Sequence, residues 1–251
     1  MGEKILELAK NSIDPAYLKE LYFVLERGKR ARPVLMQKIC GKLGVKEDPL
    51  EEAQTAVELI HSASLIHDDF VDDDRERRGK KSFFAAFGKN KGVLFGDYCF
   101  AASLKILIHH QYPKKIIDSA VNAVFEMVES QLDLENHKVK DLDSYLKYAT
   151  GKTARLFELC AIIPMEYYKV ESKVAKEFAK LYGLVFQLVD DLSEQKPEEA
   201  NIKNFLSLAE AKQFVQKKIQ ELESFNFIPL SELPFILPIE SFLKGNAVAS
   251  H

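Results

Sequence analysis

The chain has 251 residues, of which 47% are hydrophobic, and a formal net charge of -3. A sizeable core is therefore expected and disorder is excluded as the main state. So small a charge gives no bulk attraction to nucleic acid or to an acidic membrane surface. No apolar run reaches the roughly 18 residues that a membrane span needs. Cys40, Cys99 and Cys160 are far apart and odd in number; they lack metal-ligand spacing and suit small core residues of a reducing compartment. Met1-Gly2-Glu3-Lys4 leads into an amphipathic pattern without a signal peptide, and position 6 lacks the Ser or Thr of a myristoylation signal. A cytoplasmic protein is expected.

Helical periodicity predicts helices over 15–26, 31–44, 49–71, 92–110, 113–135, 141–149, 153–168, 172–193, 208–224 and 231–243. Asp14-Pro15 and Asp48-Pro49 read as N-caps followed by proline at the first helical position. Tyr112-Pro113 separates two helices, and Gly28, Gly79, Gly88 and Gly151 mark breaks or bends. Strand signal is weak, and there is no repeat or low-complexity tract. Residues 195–206 read as a short polar linker. Residues 225–251, with Pro229, Pro234 and Pro238, read as a weakly structured end, frayed from Lys244 onward. The expected architecture is all-α: a single domain over 1–251, a helical bundle of about ten or more helices with short connections.

Two acidic clusters carry the chemistry. Asp68, Asp69 and Asp72 lie in the run from Leu65 to Gly79, and Asp190, Asp191 and Glu194 come after Phe186-Gln187-Leu188-Val189. Each ends an apolar helical run, where free carboxylates are costly unless a cation is near. Asp68 and Asp72 are four residues apart and share a helix face. His61 stands two turns earlier on the same side, about 10 Å away along the axis. Acids at this spacing repel one another, and Mg²⁺, which takes oxygen ligands, would turn that repulsion into affinity. A solvated acidic helix end has the same spacing, but this cluster comes directly after Ala63 to Ile66 and precedes Arg77-Arg78, which suits a phosphate.

Cations cluster at Gly28-Lys29-Arg30-Ala31-Arg32-Pro33, where Lys29 and Arg32 are three apart and could converge on one anion while Arg30 points elsewhere. A solvated charge run reads the same way. Gly151-Lys152-Thr153 opens a predicted helix, where an N-terminus with a lysine would suit an anion, though a simple capped start accounts for Thr153 as well. No Ser, Cys or His triad is visible. His109, His110 and His137 read as surface histidines.

In combination these motifs resemble the trans-isoprenyl diphosphate synthase family, the polyprenyl synthetases. The resemblance begins at Gly28–Pro33 and continues through Glu58–Asp69, Arg77-Arg78-Gly79-Lys80, Leu94-Phe95-Gly96-Asp97, Gln131-Leu132-Asp133-Leu134, Gly151-Lys152-Thr153-Ala154 and Phe186–Asp191. It implies an all-α fold around a central cavity, Mg²⁺, and isopentenyl and allylic diphosphates as substrates. It also implies a homodimer or a heteromer. Asp68, Asp69, Asp72, Asp190, Asp191 and Glu194 would hold Mg²⁺. Lys29, Arg32, His61 and Arg78 would bind isopentenyl diphosphate. Arg77, Lys152 and Gln187 would touch the allylic diphosphate, and Thr153 would lie near the developing allylic cation. In this family a bulky residue near Ala63 or Ser64 shortens the product. Both are small here, so a long-chain, octaprenyl-type product is expected, with Phe95, Phe100 and Phe125 as alternative floors.

The chain departs from the family pattern at Glu194, at Ser130 and in the glycine-free segment 195–204, where Lys196 or Lys203 would have to stand in for a family lysine. Two other functions stay open: a non-catalytic subunit of a heteromeric synthase, and a terpene cyclase or head-to-head synthase. The Lys29/Arg32/His61 set, suited to a second diphosphate, argues against the last.

Overall fold

The computed structural model describes residues 2–26, 30–77, 79–194 and 200–233. Among them are eleven α-helices: α1 (Gly2–Ser12), α2 (Leu18–Leu25), α3 (Ala31–Leu43), α4 (Glu51–Val71), α5 (Phe83–Phe87), α6 (Lys89–His109), α7 (Lys114–Glu135), α8 (Leu142–Ala149), α9 (Arg155–Tyr168), α10 (Lys173–Ser193) and α11 (Leu208–Ser224). One small hairpin, β1 (Glu76–Arg77) and β2 (Lys80–Lys81), comes after α4 with Arg77 opposite Lys80. Gly79 takes φ 70° in its turn, a left-handed conformation that costs glycine little.

The predicted helices form, with instructive exceptions. Helices α1 and α5 lie outside the predicted set; α1 carries Ile5 and Ala9 into the core, and α5 is a single turn capped by Ser82. Asp14 does cap, accepting from the Ala16 N–H, but the element it opens is the 3₁₀ turn Pro15–Tyr17 rather than an α-helix. Asp48 is not a cap: it begins the 3₁₀ turn Asp48–Leu50, which runs straight into α4. The break expected at Gly151 is absent. Helix α8 passes through the π turn Thr150–Ala154 into α9, with helical dihedrals at Ala149, Thr150, Ala154 and Arg155. Of the predicted helix 231–243, Leu230–Glu232 is a 3₁₀ turn, and the part from 234 lies outside the described residues.

Helix α4 runs through the core against α6. The two approach closely because Gly96 has no side chain; an added Cβ would lie 2.6 Å from Cδ2 of His67. Helix α6 is long and apolar enough to cross a membrane by length and composition, a qualification of the expectation from apolar runs. Its Phe95, Cys99, Ser103 and Ile106 are buried within the protein, as in a core helix. The three cysteines are free and buried, as expected.

Of the end expected to be weakly structured, residues 225–233 are anchored, and 234–251 lie outside the described residues. Phe225 and Phe227 pack edge-on against Phe178 of α10, and Ile228 and Leu233 are buried. The segment 200–206, read as a polar linker, instead buries Asn201 and Ile202.

Lys91 of α6 bonds the buried Glu20 of α2. Burial alone would raise the Glu20 pKa; the Lys91 hydrogen bond and charge outweigh it and hold the carboxyl below its ordinary 4.5. A depressed folded pKa means stability that is present above the unfolded pKa and lost as pH falls through the folded one. Lys91→Met is therefore expected to lower unfolding free energy by about 1–2 kcal/mol at pH 7. In urea titrations that difference should shrink in acid.

Candidate active site

The first acidic cluster sits where α4 ends, at the negative pole of its dipole. Successive helical residues diverge by about 100°, so Asp68 and Asp69 part company. Asp69 is 3% exposed and accepts from Nε of Arg77 at 2.5 Å. Burial raises its pKa, with the Arg77 charge opposing. The hairpin thus folds back onto α4 and delivers Arg77 beside the cluster. Asp68 is half-buried, Asp72 is exposed, and Nζ of Lys152 lies 3.9 Å from Asp68 Oδ1. Burial works against the Lys152 charge, but Asp68, Tyr148 and Asp72 more than offset it and raise its pKa.

The second cluster ends α10 and divides the same way. Asp190 is exposed, whereas Asp191 is 1% exposed. Asp191 Oδ1 accepts from Gln187 Nε2 at 2.8 Å, and Oδ2 accepts from the Tyr145 hydroxyl and, at 2.9 Å, from the Ile202 N–H. Glu194 accepts from Asn201 Nδ2 at 2.8 Å, and Lys203 Nζ bonds the Glu194 carbonyl oxygen. Of the two lysines proposed for the missing family position, Lys203 is therefore committed to the end of α10; Lys196 lies outside the described residues.

The π turn joins the two clusters. Lys152 points to Asp68 on α4, and its neighbour Thr153 donates to Gln187 Oε1 on α10 at 2.6 Å. The expected anion site at a helix N-terminus does not exist here, because the Thr150 and Arg155 N–H groups are already bonded within the helix. Lys152 contributes its side-chain charge instead. The segment is held by small residues: a Cβ on Gly183 would lie 2.7 Å from Ala154 Cα.

On α3, Arg32 is buried, with its guanidinium 4.5 Å above the Phe157 ring and its Nε unpartnered. Burial lowers its pKa; Glu58 on α4 and Asp190 on α10 act in the other direction. Arg30 bonds Glu58 Oε2 at 2.7 Å and the Leu25 carbonyl. Glu58 Oε1 stays buried without a partner. Partly buried His61 lies on the Asp68 face of α4. Lys29 and Arg78 lie outside the described residues. A cavity of about 60 Å³ adjoins the cluster, lined by Val24, Ser62, Leu65, Asp69, Arg77 and Phe83 among others.

Among the described residues no group of three or more His, Cys, Asp or Glu could hold a metal unaided. Asp68, Asp72 and Asp190, less buried than Asp69 and Asp191, nevertheless suit Mg²⁺, which is commonly held by one or two carboxylates together with substrate phosphates. Ser64 is one turn before Asp68 on the same face, whereas Ala63 is fully buried. Phe95 is stacked on Phe83, and Phe100 lies 5.6 Å from the His67 ring. Phe125 is 61% exposed on α7. His109, His110 and His137 are exposed, as expected.

Residues 16–207 match the Polyprenyl synthetase family. The chain belongs to that family. Its polyprenyl synthetase relatives include the octaprenyl diphosphate synthase of Haemophilus influenzae, 33% identical over 176 residues, covering 68% of this chain and 54% of that protein. They also include the short chain isoprenyl diphosphate synthase of Methanocaldococcus jannaschii, 32% identical over 205 residues, covering 76% and 62%. The chain thus spans less than two thirds of the length of these curated relatives. The crystal structure of a geranyltranstransferase from Thermotoga maritima superposes with a TM-score of 0.80 at 25% identity, covering 97% of each chain. An isoprenoid synthase family member from Thermotoga neapolitana gives 0.81, also at 25% identity, covering 97% and 96%. The fold is the all-α isoprenoid synthase fold.

Within this member of the polyprenyl synthetase family, Tyr145 and Asn201 escape a reading of the sequence. Tyr145 is spaced seven residues before Lys152, which repeats a helix face, but an aromatic at that spacing reads as core. Nothing in the sequence marks Asn201.

Proposed function

We propose that the protein is a Mg²⁺-dependent prenyl diphosphate synthase that condenses isopentenyl diphosphate head-to-tail with an allylic diphosphate. The observation that carries it is the π turn, whose adjacent residues Lys152 and Thr153 reach Asp68 and Gln187 on the two acid-bearing helices. Asp68, Asp72 and Asp190 would hold Mg²⁺, which would neutralise the charge of the departing diphosphate. Asp69, Asp191 and Glu194 are set aside from the expected metal set, because Arg77 bonds Asp69 Oδ1, Tyr145, Gln187 and Ile202 bond both oxygens of Asp191, and Asn201 bonds Glu194 Oε2. Lys152 and Arg77 hold the allylic diphosphate and stabilise the charge that grows on it as the C–O bond breaks. Arg32 and His61, with Lys29 and Arg78, hold isopentenyl diphosphate, whose double bond attacks the allylic cation; the proton then lost goes to the released diphosphate. The apolar walls keep out water that would quench the cation.

Incubation with Mg²⁺, labelled isopentenyl diphosphate and a C15 allylic primer tests this. Label is expected in an extended prenyl diphosphate. No incorporation alone, with incorporation after adding a homologous subunit, would point to a non-catalytic subunit instead.

The product is long-chain in this proposal. Small Ser64 beneath Asp68 and similarity to an octaprenyl diphosphate synthase support that length, although a short-chain relative is equally similar. Ser64→Phe is expected to shorten the product; unchanged chain length would put the floor elsewhere.

The assembly is a homodimer in this proposal. Val121, Phe125, Val128 and Leu132 on α7 and Leu94 and Ile108 on α6 expose apolar side chains. The α7 set is spaced four, three and four residues apart, as in a helix–helix seam. Phe125→Glu is expected to convert a dimer into a monomer in sedimentation velocity; a monomeric wild type would contradict this.

A further inference from the structure

A carboxylate can set the direction of a hydroxyl that it does not touch, through an amide bonded to both, and Asp191 is placed to do this. We propose that Asp191, buried against Tyr145, is a positioning residue that fixes the direction of the Thr153 hydroxyl rather than a metal ligand. This rests on the synthase reading above.

The chain of hydrogen bonds has one allowed direction. Gln187 turns its NH₂ to the carboxyl, donating from Nε2 to Asp191 Oδ1 at 2.8 Å. The Gln187 carbonyl oxygen must then face the other way, where it accepts from Thr153 at 2.6 Å. Thr153 spends its only proton on that bond, so what remains to face its surroundings is a pair of oxygen lone pairs. Beside Lys152 and the allylic diphosphate, that is the polarity that stabilises a developing cation; a hydroxyl pointing its proton inward would oppose it. If the amide were reversed, Gln187 would present oxygen to carboxylate and leave Thr153 free to turn.

Burial makes the arrangement stiff. Tyr145 is fully buried and Asp191 nearly so. The Tyr145 hydroxyl and the Ile202 N–H hold Oδ2, while Asn201 Nδ2 bonds the Asp191 carbonyl oxygen at 3.2 Å. Burial pushes the Tyr145 phenol up, so it stays a donor. The segment after the second acidic cluster therefore reaches the reaction centre through Ile202 and Asp191, which accounts for the burial of residues that the sequence presents as a linker.

The experiment compares Asp190→Asn, Asp191→Asn, Tyr145→Phe, Thr153→Val and the double variant Asp191→Asn/Thr153→Val. Each is assayed for kcat and KM with both substrates, and for Mg²⁺-dependent binding of inorganic diphosphate by titration calorimetry. Asp191→Asn is expected to lower kcat by about 10- to 100-fold, with both KM values and diphosphate affinity within about twofold of wild type. Asp190→Asn should weaken diphosphate binding by about tenfold or more. The double variant should be no slower than the worse single one, since both interrupt one chain. Tyr145→Phe, which keeps the carboxylate, gives the same kcat-only pattern with a smaller loss and serves if Asp191→Asn does not fold. Loss of diphosphate binding in Asp191→Asn equal to that in Asp190→Asn, or additive effects in the double variant, would overturn the proposal. A wild type that neither binds diphosphate nor turns over would instead refute the synthase reading itself.

Discussion

Asp68→Ala is expected to reduce kcat by about 10²–10³-fold, roughly 3–4 kcal/mol of lost transition-state stabilisation, without unfolding the protein. The two halves of that result have one cause. Asp68 and Asp72 share a face at the C-terminal end of α4, where like charges repel and the helix dipole disfavours anions. Lys152, 3.9 Å from Asp68, relieves this only in part. Removing one carboxylate should therefore leave the melting temperature unchanged or raise it slightly while turnover collapses. Steady-state rates and thermal denaturation on the same preparation check both. A coupled fall in melting temperature and rate would mean that Asp68 is chiefly structural.

Gly183→Ala should do the opposite, damaging the fold first. The added methyl would lie 2.7 Å from Ala154 Cα and 2.8 Å from Phe157 Cβ. One neighbour is backbone, so no side-chain rotation relieves the clash and α10 must move away from the π turn. Overpacking of this kind costs about 1–3 kcal/mol, or about 2–4 °C of melting temperature per kcal/mol in a protein of this size. Gln187 is one turn further along α10, so the shift should also lengthen the Thr153–Gln187 bond and depress kcat in the protein that remains folded. Differential scanning calorimetry with activity measured well below the transition separates the two losses. Wild-type melting in Gly183→Ala would mean that α10 and the π turn have room between them for a methyl group.

The part of the fold legible in the sequence owes that to periodicity. Long amphipathic stretches such as those of α4, α7 and α10 declare themselves, because tertiary packing selects one face of a regular helix. Glycine is harder to read: Gly151 looks like a break, yet it sits in a continuous helix because Ser130 of α7 packs where its side chain would be. That is a contact between distant segments, invisible in local sequence. The prolines after Phe225 suggest weak structure, but Phe178 receives the flanking aromatics. At the site, the residue types are legible and their division of labour is not. Asp68 and Asp69, or Asp190 and Asp191, are equivalent on paper. Only the 100° step between helical neighbours, and the groups each then meets, separates an open carboxylate from a buried one. Tyr145 and Ile202 come to Asp191 from segments 46 residues before and 11 residues after it in sequence.

The direct test of the two acidic helices acting as one site is the Mg²⁺ dependence of binding an unreactive allylic diphosphate analogue, measured by calorimetry on wild type, Asp68→Ala and Asp190→Asn. Binding is expected to require Mg²⁺, to vanish with chelator, and to weaken about tenfold or more in each variant, because one metal-bridged diphosphate draws on both helix ends. Affinity indifferent to chelator, or weakened by only one of the two substitutions, would contradict it.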